Sequence, residues 1–166
     1  MKRPEPDFLA ILRTLARHRV EFIIVGGVAA VLQGAPVSTF DLDLVHSREP
    51  DNIDRLLKAL KTLEAYYRTP GAANRRPDRS HLSSPGHQLL MTRWGPLDLL
   101  GAIGAGRGYD ELVGETFETE IGGKLKVRVL GLSALIRDKQ AVGRAKDKST
   151  LAILQRTLEE KQKSRT

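Results

Sequence analysis

The sequence contains no cysteine, which excludes a disulfide scaffold, a cysteine nucleophile and thiolate zinc sites together. Aromatic residues are scarce, 5% of 166, so a core must rest on Leu, Ile, Val and Ala. Long apolar runs are missing too. The longest apolar region, Phe22 to Val37, is broken by Gly26, Gly27, Gln33, Gly34 and Pro36, and is too short and interrupted to span a bilayer. No apolar stretch of signal-peptide type follows Lys2 and Arg3, so the reading is a cytoplasmic protein with no membrane partner. No Gly-Lys-Ser or Gly-Lys-Thr occurs, and Gly104-Ala105-Gly106 lacks the third glycine of a dinucleotide fingerprint. His46, His81 and His87 lack metal-ligand spacing, which leaves no zinc site to expect. His46, close after the carboxylate strand, reads either as a residue near a site there or, in preference, as an exposed strand-end histidine.

What is present is ordinary for a folded chain: 40% hydrophobic and 28% charged residues. With no repeats and no clear boundary, one domain over 1–166 is the economical reading, with C-terminal helices at about 131–163. Lys and Arg number 27 against 20 Asp and Glu, a net charge of +7. Such a surface attracts phosphates, on nucleotides or on nucleic acid; a basic domain that binds neither fits the charge equally well.

Phe8, Leu9, Leu12, Leu15 and Ala16 recur at helical spacing over 7–18, with Asp7 as N-cap. Glu21 to Val25 reads as a buried strand ending at Gly26-Gly27, and Val28 to Gln33 as a short helix. Phe40 to Val45 alternates as a second strand, and Asp51 to Leu63 is an amphipathic helix. Residues 68–87 carry no apolar periodicity and read as a mobile loop, bordered by a weak strand around Tyr66. Gln88 to Arg93 and Leu97 to Leu100 form strands joined by a turn at Gly95-Pro96, and Tyr109 to Leu112 forms a helical turn. Phe117 to Ile121 and Leu125 to Leu130 make a hairpin around Gly122-Gly123. Leu132 to Val142 and Asp147 to Lys163 close the chain as helices.

The chemistry concentrates at Asp41-Leu42-Asp43. Strand period two puts both carboxylates on one face. Two like charges there are costly without a cation between them, and Mg²⁺ prefers carboxylate and phosphate oxygens together. Gly26-Gly27 lets the chain turn tightly and offer backbone N–H groups at a helix start, a phosphate cradle. Asp98 stands among apolar residues in Pro96-Leu97-Asp98-Leu99. It is either a third metal ligand and base on an attacking hydroxyl or a capping carboxylate beside Gly95-Pro96. Arg75, Arg76 and Arg79 either contact a nucleic-acid acceptor or decorate a polar loop. Trp94 and Tyr109 read as packing residues.

The order strand, Gly26-Gly27, helix, Thr39-Phe40-Asp41-Leu42-Asp43-Leu44 resembles the signature of the DNA polymerase beta-like nucleotidyltransferase superfamily. It is similar, more narrowly, to the small prokaryotic nucleotidyltransferases and to the transferase toxins of type IV toxin–antitoxin pairs. Leu132 to Lys139, followed by Gly143-Arg144-Ala145-Lys146-Asp147, resembles a basic helical segment of that toxin-like branch. The resemblance covers 20–100 specifically and 130–150 more loosely. It implies an α/β (α+β) nucleotidyltransferase fold: a mixed sheet with packed helices and a helical C-terminus. It also implies transfer of a nucleotidyl group from a nucleoside triphosphate to a hydroxyl of RNA, protein or a small molecule. Asp41, Asp43 and Asp98 would hold Mg²⁺, with two ions accommodated. Gly26, Gly27 and Thr39 would bind nucleotide, with Lys139 and Lys146 neutralising phosphate charge. An RNA or tRNA acceptor and an antitoxin protein are the macromolecular partners this branch implies. Lys139 and Lys146, seven residues apart, also fit a solvated helix face. One departure is Val37, where members of the branch often carry an arginine. It keeps a second reading open: a catalytically weak or inactive module of the same fold, binding nucleic acid or a partner protein.

Overall fold

The computed structural model describes residues 5–72, 75–143 and 148–164. Helix α1 (Phe8–Arg17) begins where the Asp7 carboxylate accepts the backbone N–H of Ala10 at 3.0 Å, and it buries Ile11, Leu12 and Leu15. Strand β1 (Phe22–Val25) follows, all four side chains buried. Helix α2 (Gly26–Leu32) starts at the glycine pair itself rather than at Val28. Strand β2 (Leu42–His46) begins one residue after Asp41, and helix α3 (Pro50–Thr62) buries Ile53, Leu56, Ala59 and Leu60.

The stretch expected as a loop is built. Strand β3 (Tyr66–Tyr67) borders it as expected, but helix α4 (Arg79–Ser83) lies within it, capped by Asp78 on the N–H of His81 at 2.9 Å. Five residues with one fully buried apolar side chain, Leu82, are too few to display a period. Strands β4 (His87–Thr92) and β5 (Gly95–Leu100) are joined at Arg93-Trp94. Gly95 and Pro96 therefore belong to the strand rather than the turn. Helix α5 (Tyr109–Leu112) precedes the hairpin β6 (Thr116–Ile121) and β7 (Leu125–Leu130). Gly122 and Gly123 both take positive φ in its turn, as a tight hairpin requires. Helices α6 (Leu132–Val142) and α7 (Lys148–Ser164) follow.

The seven strands form one mixed sheet in the order β3-β4-β5-β2-β1-β7-β6. β1 pairs antiparallel with β2 and parallel with β7, while β2 runs parallel to β5. A strand buried on every residue, as β1 is, needs cover on both faces. Two packed groups of helices supply it, α1 with α3 and α4, and α2 with α6 and α7. No helix among the described residues is long and apolar enough to cross a membrane.

Candidate active site

The site lies where β1, β2 and β5 run side by side. Pairing of β1 with β2 sets Val25 opposite Asp43, so the chain leaves β1 directly beside that carboxylate. Gly26 turns there with φ +64, and a Cβ on it would collide with Oδ2 of Asp43. Any other residue would be strained by backbone and by overlap at once. Gly27 meets the next wall: a Cβ there would lie 2.7 Å from Oγ1 of Thr39. Thr39 in turn donates to the carbonyl of Asp41 at 3.0 Å, shaping the approach to β2.

Parallel pairing of β2 with β5 places Asp98 level with Asp43. Both carboxylates therefore share one face of adjacent strands. The capping alternative for Asp98 does not describe this geometry, since Asp98 is 8% exposed, inside β5, and bonded to Arg68. Burial, then the charge and hydrogen bond of Asp98, then the charge of Asp41, push Asp43 up to about 7, with Arg68 opposing. Like charges held this close make ionisation of both costly.

Arg68 is the residue that sequence reasoning missed. Its Nη1 donates to Oδ1 of Asp98 at 2.5 Å and to the carbonyl of Leu90 at 2.9 Å, and its Nη2 lies 3.9 Å from Oδ2 of Asp41. The backbone N–H of Arg68 donates to the carbonyl of Leu89, which anchors the residue just after β3 against β4. Nothing in Arg68-Thr69-Pro70 marks it; only the addition of β3 and β4 to the sheet edge brings it over β5.

A cleft of about 620 Å³ opens on this centre, a size that suits a ligand. Gly26, Gly27, Val37, Thr39, Asp41, Asp43 and Lys139 line it, so most residues singled out in the sequence converge there. Thr150 and Leu154 of α7 complete the wall, with no sequence signal to announce them. Phe40 stands at the cleft with 77% of its surface exposed. Asp98 adjoins the cleft through Asp43, while Lys146 lies outside the described residues. Arg75 and Arg79 are elsewhere: the Arg75 carbonyl accepts the N–H of Tyr67, and Arg79 pairs with Asp54 on α3.

His46 is fully buried rather than exposed at a strand end. Its Nε2–H donates to the carbonyl of Leu82 at 2.8 Å, and Nδ1 has no hydrogen-bond partner. Trp94 is half-exposed, under the guanidinium of Arg93 at 5.1 Å.

The donor set suits a hard divalent cation. Asp43 and Asp98 supply oxygen ligands only, and on adjacent strands they already strain one another electrostatically. Among the described residues no three acidic or histidine side chains form a ready-made metal nest; the positive charge between Asp41 and Asp98 is that of Arg68.

No protein-family model matches the sequence, and no curated protein matches it. Solved structures do. A Thermotoga maritima protein described as a nucleotidyltransferase superposes with TM-score 0.54 at 19% identity, over 96% of each chain. The lincosamide antibiotic adenylyltransferase LnuA, solved with lincomycin bound, gives 0.57 at 12% identity over 89% of this chain and 94% of its own. The antibiotic-resistance factor ANT(2'')-Ia gives 0.58 at 17% identity over 91% and 82%. The chain has the nucleotidyltransferase fold.

Proposed function

We propose that this chain is a nucleotidyltransferase, moving a nucleotidyl group from a nucleoside triphosphate to a hydroxyl. The observation that carries the reading is the convergence of Asp41 and Asp43 with the Gly26-Gly27 wall and Lys139 on one cleft, with Asp98 level with Asp43 on the next strand. Asp41, Asp43 and Asp98 are the residues that would hold Mg²⁺, as one or two ions, which when bound offsets charge on the triphosphate and on the attacking oxygen. The glycines leave room for phosphate to approach the backbone, and Lys139, lining the same cleft, adds positive charge. Phe40 offers an exposed ring on which a base can stack. Asp98, beside Asp43 on the next strand, would take the proton of the incoming hydroxyl.

The acceptor is proposed as a small molecule, by analogy with LnuA, which was solved holding lincomycin. RNA, tRNA and protein are the competing acceptors. Incubation with each labelled triphosphate, Mg²⁺ and a panel of hydroxylated small molecules, bulk RNA and cell extract tests the reading. Label transfer that Asp43→Ala abolishes supports it. Absence of both transfer and Mg²⁺-dependent triphosphate binding sinks it and favours the inactive binding module that Val37 left open. The narrower toxin reading, with an antitoxin partner, predicts growth arrest on expression that Asp43→Ala relieves.

A further inference from the structure

We propose that Arg68 is the site's internal counter-cation, occupying the position of charge that a divalent ion takes, so that ion and guanidinium exclude one another on Asp98. The proposal rests on the nucleotidyltransferase reading of the carboxylates and adds what that reading lacks: a residue that sets how readily the site accepts its metal.

Three features carry it. First, Arg68 touches two of the three carboxylates, Asp98 at 2.5 Å and Asp41 at 3.9 Å, and its charge acts on the third. One cation thus serves the whole trio. Second, the carboxylate it grips is the buried one: the Asp98 side chain is 11% exposed, that of Asp41 45%. An Asp98 oxygen that accepts the guanidinium N–H at 2.5 Å cannot present the same lone pair to a metal. Third, the guanidinium is only partly committed to the fold. Its side chain is 25% exposed; beyond the carboxylates it makes one bond to the fold, from Nη1 to the carbonyl of Leu90 at 2.9 Å, and the backbone N–H bond to Leu89 remains when the side chain swings away.

Energetics decide which occupant prevails. Removing the positive charge without replacement leaves Asp43 and Asp98, already sharing a hydrogen bond, beside a third carboxylate, and uncompensated charge in a partly buried site is strongly unfavourable. A cation beside the trio therefore stabilises it, alongside the proton that Asp43 and Asp98 share. Arg68 supplies it in the free protein, and a divalent ion bound at the carboxylates releases it. A freed guanidinium presents a planar fork matched to phosphate oxygens, so the charge that closes the empty site is not lost to the loaded one.

The test uses the full chain and Mn²⁺ alone, followed by the electron paramagnetic resonance signal of free Mn²⁺, with thermal unfolding alongside. Arg68→Ala, with Arg68→Gln as a second neutral variant that keeps amide donors, should bind Mn²⁺ about tenfold more tightly or better, the return on one lost charge-assisted hydrogen bond. Arg68→Lys should stay near the parent. Without metal Arg68→Ala should melt below the parent, and Mn²⁺ should close that gap. Added Asp43→Asn should remove the tight binding. Neutral variants that bind Mn²⁺ no more tightly, while Asp43→Asn abolishes the parent's binding, overturn the proposal and leave the reading of the site intact. No Mn²⁺ binding by the parent or any variant overturns both. A melting gap that persists at saturating Mn²⁺ shows Arg68 and metal bound together, and overturns the exclusion.

Discussion

Asp43 is held beside Asp98 by strand register and beneath Gly26 by a turn that admits no Cβ. With its carboxyl raised to about 7, the native metal-free protein holds a proton that the unfolded chain has released. Its stability therefore falls as pH rises from about 4 through about 7. Asp43→Asn removes this burden. It should stabilise the metal-free protein at pH 8 by about 1–2 kcal/mol, less than the full shift because the pair shares its proton, while nucleotidyl transfer is lost. Thermal unfolding and label transfer on the same preparation check both halves. Gly26→Ala should act in the opposite sense, losing activity and about 1–3 kcal/mol of stability, because a side chain is forced into positive φ against the carboxylate. His46 adds a second titration. Burial lowers its pKa below 6.5, so between that folded value and 6.5 the unfolded chain binds the extra proton. Its contribution is intact above 6.5 and is lost as pH falls. From pH 7.5 to 5 this loss opposes the gain at Asp43, so the unfolding free energy of His46→Gln should rise more steeply over that range than that of the parent.

At the scale of elements, the short pieces between α3 and β4 matter more than their length suggests. β3 adds only two residues to the sheet edge, pairing Tyr66 with Met91 and Tyr67 with Leu90, yet it delivers Arg68 to Asp98. α4 reaches inward with Leu82, fully buried, and its Leu82 carbonyl takes the N–H of His46. Leu82→Ala should cost about 2–4 kcal/mol through the cavity and incomplete relaxation around it, measured by denaturant unfolding. The helical period of α3 was legible because its buried positions, Ile53, Leu56, Ala59 and Leu60 among them, repeat over two turns. α4 has too few residues to repeat anything.

For the molecule as a whole, the site gathers residues from 26 to 154 along the chain, so binding and folding are coupled. A triphosphate with Mg²⁺ at a hundred times its dissociation constant should add about 2.7 kcal/mol to stability. For a domain of this size that raises Tm by about 5–10 °C, and Asp43→Ala should abolish the rise. The charge of +7 belongs to this scale too. If nucleic acid were the acceptor, binding would weaken steeply with salt; the small-molecule reading predicts transfer only weakly dependent on ionic strength between 50 and 200 mM.

Asp41-Leu42-Asp43 and Gly26-Gly27 were readable from residue order alone, because alternation along a strand and the freedom of glycine are local properties of the chain. So were the capped first helix, the hairpin at Gly122-Gly123 and the closing helices. Asp98 was singled out as a third carboxylate, but its pairing with Asp43 was not readable. That Asp98 stands level with it depends on the register of β2 against β5, strands more than fifty residues apart in sequence, and register is set by what each strand buries. Arg68 and His46 lay further from view for the same reason. One looks unremarkable until β3 joins the sheet edge, and the other looks exposed until α4 covers it. Local pattern determined which groups could do chemistry here; only the packing of distant segments decided which charges meet, and which cation stands between them.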